Sequence, residues 1–475
     1  MTMSSPEKRT GRSRTCRRTA VGIAAAVVFL VAAAGAAMAN GASEKPAAGQ
    51  SAASQPAAGA APITISFWEA YSGALGDTLA HLVDQFNSSQ SSYKVDAVFK
   101  GSYPEVMAAT VAAVRAHKAP NIAMIFDVGT ATMQYSQGVY VPVYKLMKDN
   151  NIPFATSDFI AGAASYYSDA SGKLNSMPFA SSTPVLYYNK DMLAKLGVEP
   201  PATWEQLGKV AQMIVSKGLA DHGFTTGWPD WSQFEEYAVW NNFPYATLHN
   251  GYDGVKGVKV LLNTEPFVKH VQDLADWSKS GAYIYGGRAS DGAPLFIDGK
   301  VGMYIDSSAT YQRIAGGAKF KFGEAPMPYV AGAPGAPQNS VVGGNSLWVI
   351  AGAKPEVYAG VAMFLQFLSS ANAQSYWGSN TGYVPVSKAG YDALKSSGFY
   401  TQHPDFEVAV KELTNKEPTD WSRGIRLGNL PQIRDIEVGA LTSVIDGKQS
   451  AQAALDQATS QANKVLDDFA AQVGQ

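Results

Sequence analysis

Three arginines near the C-terminus are the clearest candidates for ionic chemistry in this sequence. The stretch "TDWSRGIRLGNLPQIRDIE", residues 419–437, contains Arg423, Arg426 and Arg434, although only 16% of the residues in the chain are charged. Guanidinium groups pair with carboxylates and phosphates, whereas a solvated charged face is the default for arginine. Arg434 stands in "NLPQIRDI" between two isoleucines, which indicates partial burial. A buried guanidinium needs an anionic or carbonyl partner, and the sequence leaves open whether that partner is a ligand or a structural carboxylate.

A second candidate is aromatic. The stretch "GWPDWSQFEEYAVWNNFPY", residues 227–245, contains three tryptophans and four further aromatic residues. Such a run forms either a core helix or a wall against which a small polyol packs. Trp228 stands between glycine and proline in a predicted loop, so it is the better ligand candidate, and Trp231 would share its face in a helix. Trp240 is the better core candidate.

The sequence lacks the common catalytic and metal-binding patterns. Its six histidines are scattered, and none are paired at the spacing of a zinc-binding helix. There is no phosphate-binding G-x-x-x-x-G-K-[ST] loop and no G-x-S-x-G nucleophile elbow. We therefore expect no metal, no cofactor and no catalytic residue. An exported hydrolase acting on phosphodiesters or glycosides is kept as an alternative from another class.

The first 39 residues predict export. Six lysines and arginines precede an apolar run that ends in Ala-Met-Ala, which is typical of a secretory signal peptide cleaved before Asn40. The run could also serve as an uncleaved anchor, since a spanning helix needs about 20 apolar residues, but its small residues favour cleavage. The only cysteine, Cys16, precedes the run. The exported chain is therefore expected in the periplasm, without a disulfide and not as a lipoprotein.

Cleavage would leave an acidic protein. It removes six positive charges and one negative charge, which takes the formal net charge from −2 to −7. Nucleic acid and anionic lipid surfaces are then not expected as partners, because both repel an acidic surface. Any anionic ligand must be bound by a local cluster of donors.

The elements that must position these residues alternate between strands and helices. Residues 40–62 are rich in Ala, Gly, Ser and Pro and predict a disordered linker. Beyond it, strand-like runs, among them "ITISFW", "YKVDAVF", "NIAMIFDV", "PVLYYN", "VGMYID" and "NSLWVI", are interspersed with helical patterns. Thr203 and Gln206 form a T-x-x-Q capping box that opens one helix. The alternation predicts α/β layers, and about 410 residues exceed the usual single core, so two lobes are expected.

Several segments resemble the periplasmic sn-glycerol-3-phosphate-binding proteins of ABC importers. They include "KGSYPEVMAATVAAVRAHKAPNIAMIFDVGTATM", "FASSTPVLYYNKDML", "GWPDWSQFEEYAVWN", "APQNSVVGGNSLWV", "TGYVPVSKAGYD" and "RGIRLGNLPQIR". The similarity runs in order from about residue 63 to the C-terminal helix. "SSTPVLYYN" is shared with sugar-binding relatives, whereas "GTATM" and "RGIRLGNLPQIR" are far more specific. The resemblance implies a non-enzymatic, monomeric solute-binding protein that captures glycerol-3-phosphate, or related phosphodiesters, for a membrane permease.

The fold implied by the resemblance is α/β, a two-lobe periplasmic binding protein fold of type II, like maltose-binding protein. Its ligand cleft lies between the lobes, which close by hinge motion. We place the first lobe at residues 63–180 plus 340–375 and the second at 181–339 plus 376–475.

The resemblance also implies nine ligand-binding residues. Five would hold the phosphate: Arg434, Ser182, Ser307, Tyr383 and the backbone N–H of Gly344. Two would bind the glycerol hydroxyls and two would pack on the carbon skeleton: Tyr103 and Asp127, and Trp228 and Trp231. No ligand role is assigned to Arg423 or Arg426.

One position departs from the family pattern. The family usually has glutamate where this chain has Asp127, so the carboxylate is one methylene shorter. Either a water bridges the gap or the loop moves inward, and the choice between glycerol-3-phosphate and diesters such as glycerophosphocholine stays open. A neutral sugar or oligosaccharide is the alternative ligand within this class, because the aromatic run suits it.

Overall fold

The computed structural model describes residues 61–474, in which strands of two β-sheets alternate with helices. The strands are β1 (Ile63–Glu69), β2 (Tyr93–Phe99), β3 (Ile122–Phe126), β4 (Tyr140–Val141), β5 (Met177–Ser182), β6 (Pro184–Asn189), β7 (His222–Thr226), β8 (Tyr283–Tyr285), β9 (Val301–Ser307), β10 (Phe322–Pro326) and β11 (Gly343–Ile350). The predicted signal peptide and nearly all of the predicted linker lie outside the described residues.

Helices of varied length connect the strands. The α-helices span Gly73–Ser89, Tyr103–Arg115, Thr130–Gln134, Val143–Asp149, Ala161–Tyr167, Lys190–Leu196, Trp204–Ser216, Glu236–Trp240, Glu265–Lys279, Ala293–Ile297, Tyr311–Gly317, Pro355–Leu368, Ala371–Thr381, Lys388–Ser396, Phe399–Gln402, Glu407–Leu413, Leu430–Ile445 and Ala451–Gln472. Shorter turns include the 3-10 turns Asp127–Gly129 and Ser308–Thr310, the π-helical turn Trp231–Glu235 and the left-handed turn Thr247–Gly251. Among residues 61–474, no helix combines the length and the apolar character that crossing a membrane requires.

The first sheet has six strands in the order β2-β1-β3-β11-β4, with β5 also paired to β11. Strand β1 runs parallel to β2 and β3, whereas β11 runs antiparallel to β3 and β5. Every residue of β3 is buried, because it lies between β1 and β11 in the middle of the sheet. A strand buried on both faces reads as a continuous apolar run, which is why "NIAMIFDV" predicts a central strand.

The second sheet has five strands in the order β10-β6-β9-β7-β8. Strand β7 runs parallel to β8 and β9, and β6 runs antiparallel to β9 and β10. One continuous hydrophobic core includes side chains beneath both sheets, such as Phe67 in the first and Phe224 in the second. The α/β organisation predicted from the alternating pattern is therefore present.

Two connections carry the chain between the sheets and fix what lies at their junction. A single residue, Thr183, links β5 of the first sheet to β6 of the second, and residues 327–342 link β10 back to β11. In the ladders, Gly343 lies opposite Ser182 and Pro184 lies opposite Ser307. The ends of β5, β9 and β11 consequently meet where the chain crosses between sheets.

The local predictions agree closely with the observed elements. Strands β2 and β6 have the bounds of "YKVDAVF" and "PVLYYN". The predicted capping box is also present: the Gln206 N–H donates to Thr203 Oγ1 at 3.2 Å, and the Thr203 N–H donates to Gln206 Oε1 at 3.3 Å. Two backbone donors at the start of the helix Trp204–Ser216 are thereby satisfied.

The predicted lobe boundaries stay a prediction. Residues 63–182 and 343–350 supply the first sheet and residues 184–326 supply the second, but all described residues belong to one compact unit. The helix Ala371–Thr381 spans the proposed boundary at residue 375 and packs against Gly73–Ser89. Strand membership alone therefore does not divide the C-terminal helices between lobes.

Candidate functional site

A single cavity brings together all nine residues that the resemblance implies. Its volume is about 670 Å³, within the range of about 300–1,000 Å³ that is usual for small-molecule sites. The nine predicted residues in its lining are Tyr103, Asp127, Ser182, Trp228, Trp231, Ser307, Gly344, Tyr383 and Arg434. The lining also contains residues that sequence reasoning missed, chiefly Tyr71, Ser290 and Arg313.

The two predicted serines are positioned by the crossing between the sheets. Ser182 is the last residue of β5 and Ser307 is the last residue of β9. Ser307 also starts the 3-10 turn Ser308–Thr310, because its Oγ accepts a hydrogen bond from the Ala309 N–H at 3.2 Å. Both hydroxyls therefore lie at strand ends that line the cavity, as neutral donors or acceptors.

Two glycines allow the backbone of β11 to pass close to this site. Gly344 has a φ of +102°, a conformation that disfavours side chains, and a Cβ there would collide with the carbonyl oxygen of Ala180. A Cβ at Gly343 would collide with the indole ring of Trp231. Any side chain at these positions would displace a neighbour, which is why the sequence "VGGNS" carries glycine twice.

Arg434 is buried and already engaged. It lies on the helix Leu430–Ile445 with 6% of its surface exposed. Nε donates to Glu235 Oε1 at 2.6 Å, and Nη2 donates to Glu235 Oε2 at 2.8 Å and to Asp127 Oδ2 at 3.3 Å. The sequence left open whether Arg434 pairs with a ligand or with a structural carboxylate, and the structure shows two carboxylates as its partners. Nη1 makes no hydrogen bond within residues 61–474, so it is the nitrogen of Arg434 that a ligand in the cavity can engage.

The two carboxylates compete for this one guanidinium. Burial raises the pKa of Asp127 to about 7; Arg434 opposes this rise, and the negative charge of Glu235 adds to it. Burial also raises the pKa of Glu235, although Arg434 pulls it down. The trio has a net charge of −1 when both carboxylates are ionised and is neutral when Asp127 holds a proton. These three side chains together therefore give their end of the cavity no surplus positive charge.

A cluster of tyrosines forms another part of the wall. Tyr103 donates to the hydroxyl of Tyr71 at 3.0 Å, and the Tyr383 hydroxyl lies 3.3 Å from that of Tyr103. Asn345 Nδ2 donates to the hydroxyls of both Tyr71 and Tyr103. Burial raises the pKa of all three tyrosines, so they present neutral hydroxyls to the cavity.

Tyr103 is placed by a helix start, and Tyr71 by a strand end. The Glu105 carboxylate accepts hydrogen bonds from Ser102 N at 2.6 Å and Ser102 Oγ at 2.8 Å, which fixes the first turn of the helix that Tyr103 begins. Tyr71 follows β1 much as Asp127 follows the parallel strand β3. Carboxyl ends of parallel strands meet at one edge of a sheet, and this signal could have identified Tyr71 from the sequence.

The two cavity tryptophans differ in how they are held. Trp228 has a φ of +44°, which is unusual for a bulky residue, and its N–H donates to Ala289 O at 2.7 Å. Its indole Nε1 donates to Ser290 Oγ at 3.2 Å. Trp231 is buried, and its Nε1 has no partner within the described part of the chain. Trp240, interpreted as a core residue, is buried away from the cavity lining and donates from Nε1 to Met327 O at 2.8 Å.

Arg423 and Arg426 do not line the cavity. Both guanidinium groups stack on the ring of Tyr252, with carbon-to-centroid distances of 4.5 and 4.2 Å. Arg426 Nη2 also donates to the carbonyl oxygens of Ser165 and Ser168, at 3.2 and 2.9 Å. These contacts hold the loop before the helix Leu430–Ile445.

No group of three or more His, Cys, Asp or Glu side chains within residues 61–474 is arranged to hold a metal ion. The polar groups of the cavity lining are instead the guanidinium groups of Arg434 and Arg313, several neutral hydroxyls and an ionisable carboxyl group, beside aromatic faces. Such a set can bind a small anion that also carries hydroxyl groups.

Two sheets joined by two crossings, with a largely apolar cavity that carries a few polar groups at the junction, are typical of a two-lobed binding protein. Solved structures of such proteins share this fold. The UgpB protein of Mycobacterium tuberculosis, in complex with glycerophosphocholine, matches with a TM-score of 0.72 and 21% identity, covering 86% of this chain and 100% of that one. The GacH receptor of Streptomyces glaucescens, solved without ligand and with acarbose, matches with a TM-score of 0.71 and 24% identity, covering 86% and 99%. These likenesses confirm the expected fold.

The chain belongs to the bacterial extracellular solute-binding proteins. The family model of that description matches residues 81–408. The sn-glycerol-3-phosphate-binding periplasmic protein UgpB of Pectobacterium atrosepticum is 42% identical over 409 residues, 85% of this chain and 91% of that protein. The protein of the same name from Salmonella typhimurium is 40% identical over 410 residues, 86% and 93%. The resemblance seen in the sequence is confirmed, and so is the expectation of a binding protein that is not an enzyme.

Proposed function

We propose that this protein captures sn-glycerol-3-phosphate, or a glycerophosphodiester, outside the cytoplasm and delivers it to the permease of an ABC importer. The observation that carries the proposal is the convergence of all nine implied ligand residues on one cavity. Family membership and relatives named for glycerol-3-phosphate add to it. Export through the N-terminal segment belongs to the same proposal.

The chemistry of the cavity fits the two ends of such a ligand. A phosphate would be held by Arg434 Nη1 together with the hydroxyls at the strand ends, Ser182 and Ser307. Hydrogen bonds to an anionic oxygen are roughly twice as strong as those between neutral groups. One arginine and a few hydroxyl groups can therefore match both the charge and the shape of a phosphate. The glycerol hydroxyls would be bound by Tyr103 and by Asp127, which can donate a hydrogen bond when it is protonated.

The donor set of the cavity favours a phosphate ester over a neutral polyol. A neutral polyol leaves the available Arg434 nitrogen and its neighbouring donors unpaired, and unpaired buried donors cost about 1–3 kcal/mol each. The phosphate is therefore what selects the ligand. Closure of the two lobes on the bound ligand would present the form that docks on the permease.

Titration calorimetry with the purified protein tests the proposal. Glycerol-3-phosphate and glycerophosphocholine should each give a saturable heat and a rise in melting temperature. Glycerol and inorganic phosphate serve as controls for the two halves of the ligand, and each should bind far more weakly. Absence of heat and of a thermal shift with both phosphate esters would overturn the proposal.

A neutral sugar is a second candidate, and a specific observation favours it. Arg434 is already paired with Glu235 and Asp127, so a ligand without charge would not disturb that trio. The GacH receptor of Streptomyces glaucescens, which has a similar fold, binds acarbose. Maltose and longer oligosaccharides therefore belong in the same titration. Saturable binding of these sugars, without binding of the phosphate esters, would replace the first candidate by the second.

A further inference from the structure

Arg313 is a second cationic side chain in the cavity lining. It lies on the helix Tyr311–Gly317 and is exposed, whereas Arg434 is buried. Its Nη1 donates to the backbone oxygen of Ser290 at 3.1 Å. Within residues 61–474, the Arg313 guanidinium takes part in no ion pair, although the nearby Arg288 is paired with Asp435. Arg313 therefore offers the cavity a positive charge that has no carboxylate within ion-pair distance among the described residues.

Apart from Arg313, the charged groups at the cavity supply no net positive charge that could balance a dianion. The charged side chains in the lining are Asp127, Arg313 and Arg434. Arg434 is compensated by Glu235 and Asp127, so the trio supplies no net positive charge. A phosphate monoester carries a charge of about −1.5 to −2 at pH 7, and burying charge without a counter-charge is costly. A diester carries only about one negative charge, because its second ionisable oxygen is esterified.

The position of Arg313 ties it to the groups that would hold the phosphate. It follows Ser307 by six residues, across the turn Ser308–Thr310. The carbonyl group of Ser290 holds the Arg313 guanidinium, and the hydroxyl group of the same residue accepts from Trp228 Nε1 at 3.2 Å. Ser290 thus links Arg313 to Trp228, and all three residues belong to the cavity lining.

We propose that Arg313 is a specificity-determining residue that compensates the second negative charge of a phosphate monoester. A dianionic glycerol phosphate would engage both arginines, whereas a monoanionic glycerophosphodiester would engage Arg434 and leave Arg313 in solvent. This inference rests on the proposed function and extends it to the choice between two classes of phosphate ester.

The test compares two ligands in three variants. Arg313→Gln should weaken glycerol-3-phosphate binding by about tenfold or more at low salt and change binding of glycerophosphoglycerol, a diester without a cationic group, by less than about threefold. Arg313→Lys keeps the charge and should recover most of the loss. Arg288→Gln is the matched control, since it removes an exposed arginine that lies outside the lining and should leave both affinities unchanged.

The outcomes separate this inference from the proposed function. If the unaltered protein binds neither ester, the proposed function fails. If it binds both and Arg313→Gln weakens both equally, or neither, the inference about Arg313 is overturned while the function stands. Melting temperatures of the variants should match that of the unaltered protein, because Arg313 is exposed and makes a single hydrogen bond.

Discussion

Arg426 and Arg434 lie eight residues apart in one stretch, yet the fold gives them opposite surroundings. Arg434 is buried against two carboxylates and lines the cavity. Arg426 stacks on Tyr252 and donates to backbone carbonyl oxygens outside the cavity. The difference shows that the partner, rather than the arginine, decides the role. A carboxylate partner can be exchanged for a phosphate or joined by one, whereas a set of backbone carbonyls only holds a loop.

The largest expected effect is that of Arg434→Ala. Removing one partner of a buried ion pair costs about 3–5 kcal/mol of unfolding free energy, because Glu235 and Asp127 lose their counter-charge. Binding of glycerol-3-phosphate should also fall by several kcal/mol, beyond detection in most titrations. Chemical denaturation and titration calorimetry measure the two losses separately.

A double variant separates stability from binding. Arg434→Ala with Glu235→Gln removes the stranded buried charge and should regain part of the lost stability, but not the affinity. A phosphate ester that still binds either variant with nearly normal affinity would exclude Arg434 as the phosphate residue. It would also favour the neutral-sugar candidate.

The second prediction concerns pH. The pKa of Asp127 is raised to about 7, so the free site is largely protonated below that pH and ionised above it. A bound phosphate favours protonated Asp127, and affinity should therefore fall by up to about tenfold per pH unit above about pH 7. Below about pH 6 the monoester itself takes up a proton, so its affinity should also fall at low pH. A diester does not take up this proton, so its affinity should fall only above about pH 7.

Proton uptake is the direct measurement for this prediction. Calorimetric heats collected in buffers of different ionisation enthalpy at about pH 7.5 should reveal uptake of up to one proton on binding. Asp127→Asn should abolish the proton uptake and make the affinity independent of pH above about pH 7. Binding that is independent of pH between about 7 and 8.5 in the unaltered protein would contradict the assignment.

The same shift affects stability with a defined sign. Asp127 titrates near 3.8 when unperturbed and at about 7 in the fold, so the native state binds more protons between those values. The contribution of this group to stability is thus fully present below about pH 4 and is lost as the pH rises through about 7.

Tyr103→Phe should have an intermediate effect. It removes a hydroxyl group that donates to Tyr71 and accepts from Asn345, and that is expected to bind a glycerol hydroxyl. The loss of one neutral hydrogen bond is worth about 0.5–1.5 kcal/mol, or about two- to tenfold in affinity. Affinities for glycerol-3-phosphate and glycerophosphocholine should fall alike, since both carry the glycerol. A selective loss of one ligand would place Tyr103 elsewhere in the site.

Much of the fold could be predicted because its signals are local. The capping box of Thr203 and Gln206, and strands such as β3 and β6, depend on propensity and periodicity within a few residues. The nine site residues came from resemblance to a family, which carries information on tertiary structure that spacing lacks. From the residues alone, the partner of the Arg434 guanidinium could be either a ligand or a structural carboxylate.

The remaining features of the site depend on contacts that a sequence does not display. Glu235 meets Arg434 across 199 positions of the chain, and Asp127 meets it across 307. Arg313 stands in "TYQRIAGG" without any local sign of a cavity. The proposed role of Arg313 depends on which charged side chains line the cavity, and only the fold shows which these are.

The smallest expected effect on affinity is that of Arg426→Ala. The variant loses a stack on Tyr252 and hydrogen bonds to the carbonyl groups of Ser165 and Ser168, so unfolding free energy should fall by about 1–2 kcal/mol. Glycerol-3-phosphate affinity should change by less than about twofold, because Arg426 does not line the cavity. Denaturation and calorimetry on the same sample give both values. A loss of affinity as large as that of Arg434→Ala would mean that the loop before the helix Leu430–Ile445 positions Arg434, and the two arginines would then act as one unit.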